Sequence, residues 1–475
     1  MAGWENSNEE IRVENVEEFV DTNPDLYKQR TIAALNEKRF KDALKEAQLA
    51  LKYGNQALEY HVLIVRVLFE MGEYEVCSKY LTNSGIWSKR DDTSLLQEER
   101  NYIYYVYAVC YKGDNIAERK NVFVTADGRG MYTSLQQAID RCRQGQEIVL
   151  IDGYYKKSTG SNKHTFSSGH TKFEEEKIYI NSKEVVIKGL GDVAISTQME
   201  INNAKVDISE IVITAMKDDK LINKGEDEEE SIIAIKESRV KFEKVSLCGI
   251  DSAEREIVGI LVDDNSEVFV NNCSFVGEVG VCAEDGNIFI DNCEFSCKNG
   301  AACISEYNSN GSPKMYIKNS EFYSSSSESI GMGIICLGGF IEVLDCDIHE
   351  IVVGICAGSN EQTPQFKEGE CIIKNCKIHD CMGNITLARG GSMRIESSTI
   401  SRGHQCGIKA FDNTRLELLN TTLKQNKKDI IKNGNPIIRE VGVVRRDNDI
   451  VGRTVGATTN IGKGILKVAK VIFFG

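Results

Sequence analysis

Proline and tryptophan are scarce in this sequence, with 4 Pro and 2 Trp in 475 residues. With 40 Gly beside so few prolines, the chain is predicted to turn often and mainly through glycine. No run of 18 apolar residues occurs, which excludes a helix that spans a bilayer. The first residues, MAGWENSNEEIRVENVEEF, lack a basic region followed by an apolar one, so we expect no secretory signal.

Positive charge is also scarce, since 57 Lys and Arg stand against 71 Asp and Glu and give a formal net charge of −14. This balance disfavours non-specific binding to nucleic acid or anionic membranes. The 16 Cys form no CxxC pair beside a matching His or Cys cluster, so we predict no metal site and no cofactor. Without a signal sequence, we interpret the cysteines as reduced thiols of a cytoplasmic protein.

An all-α helical repeat is predicted at 25–115, after an N-terminal tail at 1–24, because apolar residues recur there at helical spacing. Phe40 and Tyr74 are 34 residues apart, and the same spacing separates Ala43 from Cys77 and Ala47 from Leu81. This period resembles that of the tetratricopeptide repeat, a stack of antiparallel helix pairs. Such a region either offers a groove to a partner peptide or acts as a structural cap.

A six-residue pattern recurs through the rest of the chain. It consists of a β-branched or aromatic residue, two mostly polar residues, a small residue, another polar residue and an apolar one, as in VNNCSF (270–275) and IDNCEF (290–295). Successive copies between 208 and 423 start 20 to 34 residues apart. A period near the shorter of these spacings, with short strands and inserted loops, indicates the stacked coils of a parallel β-helix.

The third position of this pattern is predicted to form a structural ladder, because Asn tolerates the left-handed conformation and can hydrogen-bond to an identical side chain one coil away. The ladder residues are Asn272, Asn292, Asn319, Asp345, Asn375 and Asn420. The next position is small, and we expect its side chains to stack inside the corner as Cys273, Cys293, Ser320, Cys346, Cys376, Ser398 and Thr421.

With these motifs, residues 121–432 resemble the right-handed parallel β-helix of the pectin-lyase-like superfamily, with about ten coils. In that family a segment such as ADGRGMYTSLQQAIDRC forms a turn and an amphipathic helix, which implies a cap at 127–143 over the first coil. A helical region joined to such a β-helix is similar in architecture to eukaryotic cytoskeletal scaffolds such as nessun-dorma-like proteins.

The superfamily includes lyases, hydrolases and esterases that act on acidic polysaccharides, but no complete residue set is found here. Asp345 and Asp347 lack an arginine partner on an adjoining coil, which leaves calcium-dependent lyase chemistry unsupported. Asp264 and His404, fragments of the hydrolase set, should lie roughly 30 Å apart at ~5 Å per coil, too far for joint acid–base work. Glutamines of the esterase pattern are almost absent from the coils, so we predict no catalytic residues.

Two further features leave alternatives open. His349 and His379 occupy equivalent positions, and they either form a ligand or metal site or simply repeat a polar turn position. The segment 433–475 is locally basic and is either a terminal cap or an interaction tail. Its candidate interaction residues are Arg445, Arg446, Lys463, Lys467 and Lys470.

The sequence therefore predicts a non-catalytic intracellular scaffold, in which a helical repeat precedes a rigid β-helix. We expect its partners to be other proteins, such as components of a cytoskeletal filament or an axoneme, and we expect it in the cytoplasm, the cytoskeleton or a cilium. The alternative hypothesis is a carbohydrate-binding or carbohydrate-active protein.

Overall fold

The computed structural model of this protein describes residues 22–111, 119–132, 134–156, 177–215, 231–249, 258–304, 312–324, 331–358 and 368–446. The chain divides after Tyr111 into two compact units, the first helical and the second built mainly of parallel strands. Within the described ranges, no helix has the length and apolar character needed to cross a membrane.

The helical unit starts at a capped N-terminus. The Asn23 side chain accepts a hydrogen bond from the Asp25 backbone N–H at 3.0 Å, and the fixed φ of Pro24 suits the first turn. The α-helices of this unit are Pro24–Asn36, Phe40–Tyr53, Leu58–Glu70, Tyr74–Asn83 and Gln97–Cys110, with a 3₁₀ helix at Trp87–Lys89.

The helices repeat at the predicted spacing. The first and third begin at residues 24 and 58, and the second and fourth at 40 and 74, a difference of 34 in each case. Small side chains at Ala43, Ala47 and Cys77 are fully buried, which allows the helix backbones to approach closely. The all-α character is thus present, while the relation to tetratricopeptide repeats and the choice between groove and cap stay predictions.

The second unit is a parallel β-helix whose strands form three faces. Each face is built by parallel pairing of a strand with its equivalent in the next coil. Face 1 contains Asn121–Val124, the first parts of Glu147–Lys156, Glu184–Ser196, Lys205–Ala215 and Arg239–Gly249, then Ser266–Asn271, Gly286–Asp291, Lys314–Lys318, Gly339–Leu344, Gly369–Lys374, Ser392–Glu396, Arg415–Leu419 and Ile437–Val441.

Faces 2 and 3 complete each coil. Face 2 contains the later parts of the four long strands of face 1, the first parts of Ser274–Ala283 and Glu294–Ile304, then Glu321–Tyr323, Asp347–His349, Lys377–His379, Thr399–Ser401, Thr422–Lys424 and Val444–Arg446. Face 3 contains Ile178–Asn181, Met199–Asn202, Ser231–Lys236, Val258–Asp263, the later parts of 274–283 and 294–304, then Met332–Leu337, Val353–Ala357, Gly383–Leu387, Cys406–Ala410 and Ile430–Lys432.

The core lies inside these coils, because alternate side chains of a strand point to opposite sides of its sheet. In the strand Ser266–Asn271, for example, Val268 and Val270 are fully buried while Phe269 between them is half-buried. The same inward positions in the next coil hold Ile288 and Ile290, in direct register. Each coil thus buries its apolar residues against those of its neighbours.

A short helix, Leu135–Arg141, precedes the first long strand of this stack. Ser134 caps it by accepting a hydrogen bond from the Gln137 backbone N–H at 3.1 Å, and Leu135, Ala138 and Ile139 are buried. The Lys183 ammonium donates to the carbonyl oxygens of Ile139 and Asp140 at 2.6 Å, which ties the C-terminus of the helix to the coils. These contacts match the amphipathic pattern on which the cap was predicted.

The strands continue beyond residue 432, where the sequence pattern was interpreted to end. Ile437–Val441 pairs with Arg415–Leu419, and Val444–Arg446 pairs with Thr422–Lys424. The additional coil escaped prediction because Glu440, Gly442 and Arg445 replace the Leu, Asn and Leu of the preceding repeat.

Candidate binding surfaces on the β-helix

The predicted ladder residues occupy a corner of the coils between face 1 and face 2. All six have a positive φ, between 48° and 54°, and they are Asn272, Asn292, Asn319, Asp345, Asn375 and Asn420. The Asn292 side-chain amide donates to the Asn272 side-chain oxygen, while Asn319 donates instead to the Asp291 carboxylate at 2.8 Å. The amide-to-amide part of the ladder is therefore interrupted by acidic partners.

The small residues that follow the ladder positions satisfy backbone groups inside the corner. The Cys293 backbone N–H donates to the Ser320 hydroxyl at 3.1 Å, and the Cys376 N–H donates to the Ser398 hydroxyl at 3.1 Å. The Cys273 N–H points in the same way to the Cys293 sulfur at 3.4 Å. These thiols and hydroxyls are buried, and they replace the hydrogen bonds that a tight corner would otherwise leave unmade.

Burial suits most of the cysteines to this packing role. All sixteen are free thiols, and most are buried. Burial raises the pKa of the Cys303 and Cys356 thiols to about 12, which keeps them protonated near neutral pH. A buried neutral thiol behaves as a small apolar side chain.

A shallow groove of about 530 Å³ runs along the ladder corner across several coils. Its lining is polar, and the charged residues in it are all acidic. The side chains that give it this character are the amides of Asn272, Asn292 and Asn319 and the carboxylates of Glu294, Glu321, Asp345 and Asp347.

Three of these carboxylates are each bonded to a side chain from the following coil. The Tyr323 hydroxyl donates to Glu294, the His349 Nε2 lies 2.9 Å from Glu321, and the His379 Nε2 lies 2.9 Å from Asp347. The three rings also stack in sequence, with centroids 5.7 Å and 5.2 Å apart. The two histidines are thus equivalent, as predicted, and they belong to a row of cross-coil pairs on face 2.

At the end of this row, His379 contacts an ion pair formed by Asp380 and Arg402. The Arg402 guanidinium donates to both carboxylate oxygens of Asp380, at 2.7 Å and 2.5 Å, and His379 Nδ1 lies 2.7 Å from the same carboxylate. The Arg402 hydrogen bonds hold the pKa of Asp380 well below its usual range, at about 2.

We expect Asp380 to stabilise the fold above pH 4 and to lose this effect as the pH falls towards 2. Its pKa is lower in the folded state, so the folded protein binds fewer protons than the unfolded chain across that interval. Asp380→Asn should lower the free energy of unfolding by about 1 kcal/mol near neutral pH, since Arg402 is half-exposed and the pair is screened. Denaturant unfolding at several pH values checks this, and a difference that stays constant from pH 7 to pH 2.5 would contradict it.

The fragments of a hydrolase set do not come together. Asp264 lies in the turn before the face 1 strand 266–271, and His404 lies after the face 2 strand 399–401. Four face 1 strands lie between the coil of Asp264 and the coil of His404. These strands are 286–291, 314–318, 339–344 and 369–374. In the part of the chain that the structure describes, no group of three or more His, Cys, Asp or Glu residues is placed to hold a metal ion.

A row of aromatic side chains on the solvent side of face 1 was not predicted. Phe269, Phe289 and Tyr316 share one register position on successive coils, with ring centroids 4.9 Å and 5.1 Å apart and rings nearly parallel. Phe340 continues the row at 5.9 Å from Tyr316 with a tilted ring. All four are half-buried. The signal of Phe269, Phe289 and Tyr316 in the sequence is an aromatic residue immediately before the repeated pattern, as in VFVNN, IFIDN and MYIKN, whereas Phe340 is in register with Lys314 and lacks this signal.

Charged side chains of both signs surround this aromatic row. The Arg239 guanidinium lies 5.2 Å from the centre of the Phe269 ring and 3.2 Å from Glu267. On the other side, the Lys318 ammonium lies 3.1 Å from Asp291. The aromatic row, defined as Phe269, Phe289, Tyr316 and Phe340, is thus an apolar strip with a charged rim.

Two of the five C-terminal candidate residues lie in the last described coil, and the other three lie outside the described residues. Arg445 forms an ion pair with Glu440 at 2.7 Å, and Arg446 is exposed at the end of the strand Val444–Arg446. Lys463, Lys467 and Lys470 lie outside the described residues, so their interaction role stays a prediction.

Comparison with known proteins supports the fold. A family model of the right-handed beta helix region matches residues 333–465. Similar solved structures are the periplasmic alginate epimerase AlgG, with 10% identity over 62% of this chain and 84% of that chain (TM-score 0.38), and a GH87 alpha-1,3-glucanase catalytic domain, with 13% identity over 71% and 69% (TM-score 0.41). Pectin methylesterase PemA from Erwinia chrysanthemi is similar at 14% identity over 59% and 89%, with a TM-score of 0.34. No curated protein matches the sequence.

The family-model match and the parallel coils agree on one fold class. The chain folds as an all-α N-terminal region followed by a right-handed parallel β-helix, as the sequence predicted. The identities and TM-scores of the solved structures are too low to indicate what this protein does.

Proposed function

We propose that the protein is a non-catalytic scaffold that binds other proteins through the aromatic row on face 1. The observation that carries this proposal is a continuous line of four half-buried aromatic side chains with Arg239 at one end and a charged rim. Aromatic residues and arginine are enriched at the centres of protein interfaces, and polar residues are typical of their rims.

The geometry of the row favours a protein partner over a sugar ring. Phe269, Phe289 and Tyr316 stack nearly face to face, so most of each ring face is covered by the neighbouring ring. A sugar needs an open ring face, whereas the side chains of a protein can pack against ring edges, where aromatic partners also find favourable edge-to-face geometry. The partner surface would therefore be apolar at its centre and of mixed charge around it.

The polar lining of the corner groove supports a binding role more than catalysis. Glu294, Glu321 and Asp347 each already bond to a side chain of the next coil, which fixes these carboxylates in cross-coil pairs. A catalytic pair would need an acid and a base that are both available to the substrate. The pairs instead stabilise the stack that carries the aromatic row.

We further propose that the partner belongs to an ordered intracellular assembly such as a cytoskeletal filament or an axoneme. Support comes from the sixteen free cysteines, which suit a reducing compartment, and from the architectural resemblance of the sequence to cytoskeletal scaffolds. Co-sedimentation of the purified protein with microtubules and with actin filaments tests this part directly.

The double variant Phe289→Ser, Tyr316→Ser is expected to weaken partner binding at least tenfold, because it removes the centre of the apolar strip. Its matched control is Leu344→Ser, Ile372→Ser, which removes two half-buried apolar side chains from the solvent side of the same face, outside the aromatic row. Binding is measured by quantitative mass spectrometry of proteins captured on each variant, followed by titration of the purified partner. Equal losses in both variants would overturn the assignment of the aromatic row.

The corner groove keeps the carbohydrate-binding alternative testable. Its amides and carboxylates can hydrogen-bond to sugar hydroxyls, and its length of several coils suits an extended chain. A glycan array and an assay for reducing ends released from polysaccharides examine this alternative. Specific glycan binding or turnover that is lost in Asn292→Leu but retained in the aromatic-row variant would overturn the scaffold proposal.

A further inference from the structure

The solvent side of face 1 carries three columns of side chains, because residues in register on successive coils lie about 4.8 Å apart along the stack. On the strand Gly286–Asp291 the outward residues are Asn287, Phe289 and Asp291, which define the first, second and third columns. We call the coil of Phe289 the central coil. Three coils on either side of it have face 1 strands that pair in order, and these strands are 205–215 and 239–249 in their first parts, 266–271, 314–318, 339–344 and 369–374.

In the second column, the aromatic rings lie between charges of opposite sign. Phe269 is one coil before Phe289, and Tyr316 is one coil after it. Two coils before Phe289 the column holds Lys241, and two coils after it the column holds Glu342. The charge of this column therefore reverses about the central coil.

The charge of the first column reverses in the same way. Its residues one, two and three coils before and after Asn287 form three pairs, which are Glu267 with Lys314, Arg239 with Phe340, and Lys205 with Glu370. Two of these pairs join opposite charges, and the third joins a guanidinium to an aromatic ring, which is also an attractive combination. Both columns are thus complementary to themselves when the order of the coils is reversed.

A two-fold axis can bring these complementary positions of two copies together. The axis lies in the plane of the interface, parallel to the strands, and passes through the central coil. It reverses the direction of the stack and keeps the direction of the strands, so each residue faces the residue of its own column that lies equally far on the other side of Phe289. Phe289 then faces Phe289, Phe269 faces Tyr316, and Lys241 faces Glu342. Interfaces formed by a two-fold axis need this kind of self-complementary surface.

The charges favour this axis over the other two-fold axis in the same plane. An axis parallel to the stack would place Lys241 against Lys241 and Glu342 against Glu342, and like charges in contact oppose association. Asp291 faces itself under the axis parallel to the strands. The Lys318 ammonium of the same chain lies 3.1 Å from that carboxylate and offsets its charge.

We propose that a second copy of the chain packs on the aromatic row through the two-fold axis parallel to the strands. The inference rests on the proposed function in so far as it assigns the row to protein binding, and it names the chain itself as a protein that fits the row. The reversal of charge identifies this occupant, because a partner selected by the aromatic rings alone would not need an acidic group opposite Lys241 and a basic group opposite Glu342.

The size of this surface predicts a weak dimer. Six spacings between coils and strands of about five residues define a patch of roughly 500 Å² on each copy, or about 1,000 Å² in total. This area is in the range of weak and transient complexes. A different protein that binds the same row can therefore displace the second copy.

Sedimentation equilibrium of the full chain tests the dimer in the absence of any other protein. Lys241→Glu and Glu342→Lys each place like charges together at two symmetric points, so each variant alone is expected to dimerise at least tenfold more weakly than wild type. An equimolar mixture of the two is expected to recover the association, because one copy then offers two carboxylates and the other two ammonium groups. A defect within one chain, such as loss of the 2.7 Å ion pair between Glu342 and Lys374, is not recovered by mixing.

The matched control is Arg415→Glu, a charge reversal in the first column two coils beyond Glu370, which is expected to dimerise like wild type. Circular dichroism checks that each variant folds, and Glu267→Lys with Lys314→Glu repeats the mixing test if one of the first pair does not. A wild-type chain that stays monomeric at near-millimolar concentration would overturn the proposal. So would single variants that dimerise like wild type, a mixture as weak as its components, or an equal loss in the control. None of these results alters the capture of other proteins by the row, which tests the proposed function separately.

Discussion

Phe295→Ala is expected to lower the free energy of unfolding by about 3 to 5 kcal/mol, the usual range for removing a buried phenylalanine. The Phe295 ring lies between those of Phe275 and Phe322 inside the coils, with both centroid distances at 4.5 Å and the rings nearly parallel. All three side chains are buried almost completely. Truncation at the centre of this stack leaves a cavity that the rigid coils on either side cannot close.

The matched control is Phe289→Ala, which removes the same side chain from the aromatic row on the outside of face 1. Phe289 is half-buried and also stacks between two rings, so the control separates inward from outward stacking. We expect it to cost clearly less stability than Phe295→Ala, because the site remains open to solvent and leaves no cavity. Denaturant unfolding followed by circular dichroism measures both, and equal losses would contradict the assignment of the inner stack to the core.

Gly300→Ala is expected to destabilise the fold by about 1 to 3 kcal/mol through overpacking. A Cβ at this position would lie 2.6 Å from the Gly333 carbonyl oxygen and 2.6 Å from the Phe322 ring. Gly280 stands in the equivalent place against Phe295, with ring atoms at 2.8 Å. The recurring glycine of face 3 thus makes room for the phenylalanine of the next coil.

Gly383→Ala is the control for this prediction. Gly383 is also buried on face 3, but an added Cβ would contact only the Cys406 sulfur, at an ordinary distance of 3.8 Å. We expect it to change the free energy of unfolding by less than about 1 kcal/mol. A Gly300→Ala variant as stable as Gly383→Ala would show that the coils relax around the added methyl group.

The sequence allowed the fold to be predicted because each coil repeats a local signal. The positive φ of Asn272 and its equivalents, and the burial of the small residue beside each, depend on the corner itself and recur in the sequence as a motif. The last described coil was missed for the complementary reason, since Glu440 and Arg445 replace the apolar residues by which a coil is recognised.

The contacts between coils were harder to predict, because they depend on register. His349 and His379 were recognised as equivalent, but their bonds to Glu321 and Asp347 reach back one coil across inserted loops of different length. The aromatic row depends in the same way on the alignment of Phe269, Phe289 and Tyr316. The residues that an aromatic side chain contacts on neighbouring coils cannot be predicted until the pairing register of the strands is known.

The most direct test of the scaffold proposal is photo-crosslinking from the aromatic row inside cells. A photoreactive phenylalanine analogue replaces Tyr316 in one variant and Ile372, outside the row on the same face, in another. The account predicts a discrete protein adduct from position 316 that disappears when Phe289→Ser is added, and no such adduct from position 372. Identical adducts from both positions, or an adduct at 316 that persists with Phe289→Ser, would contradict the assignment of this surface to protein binding.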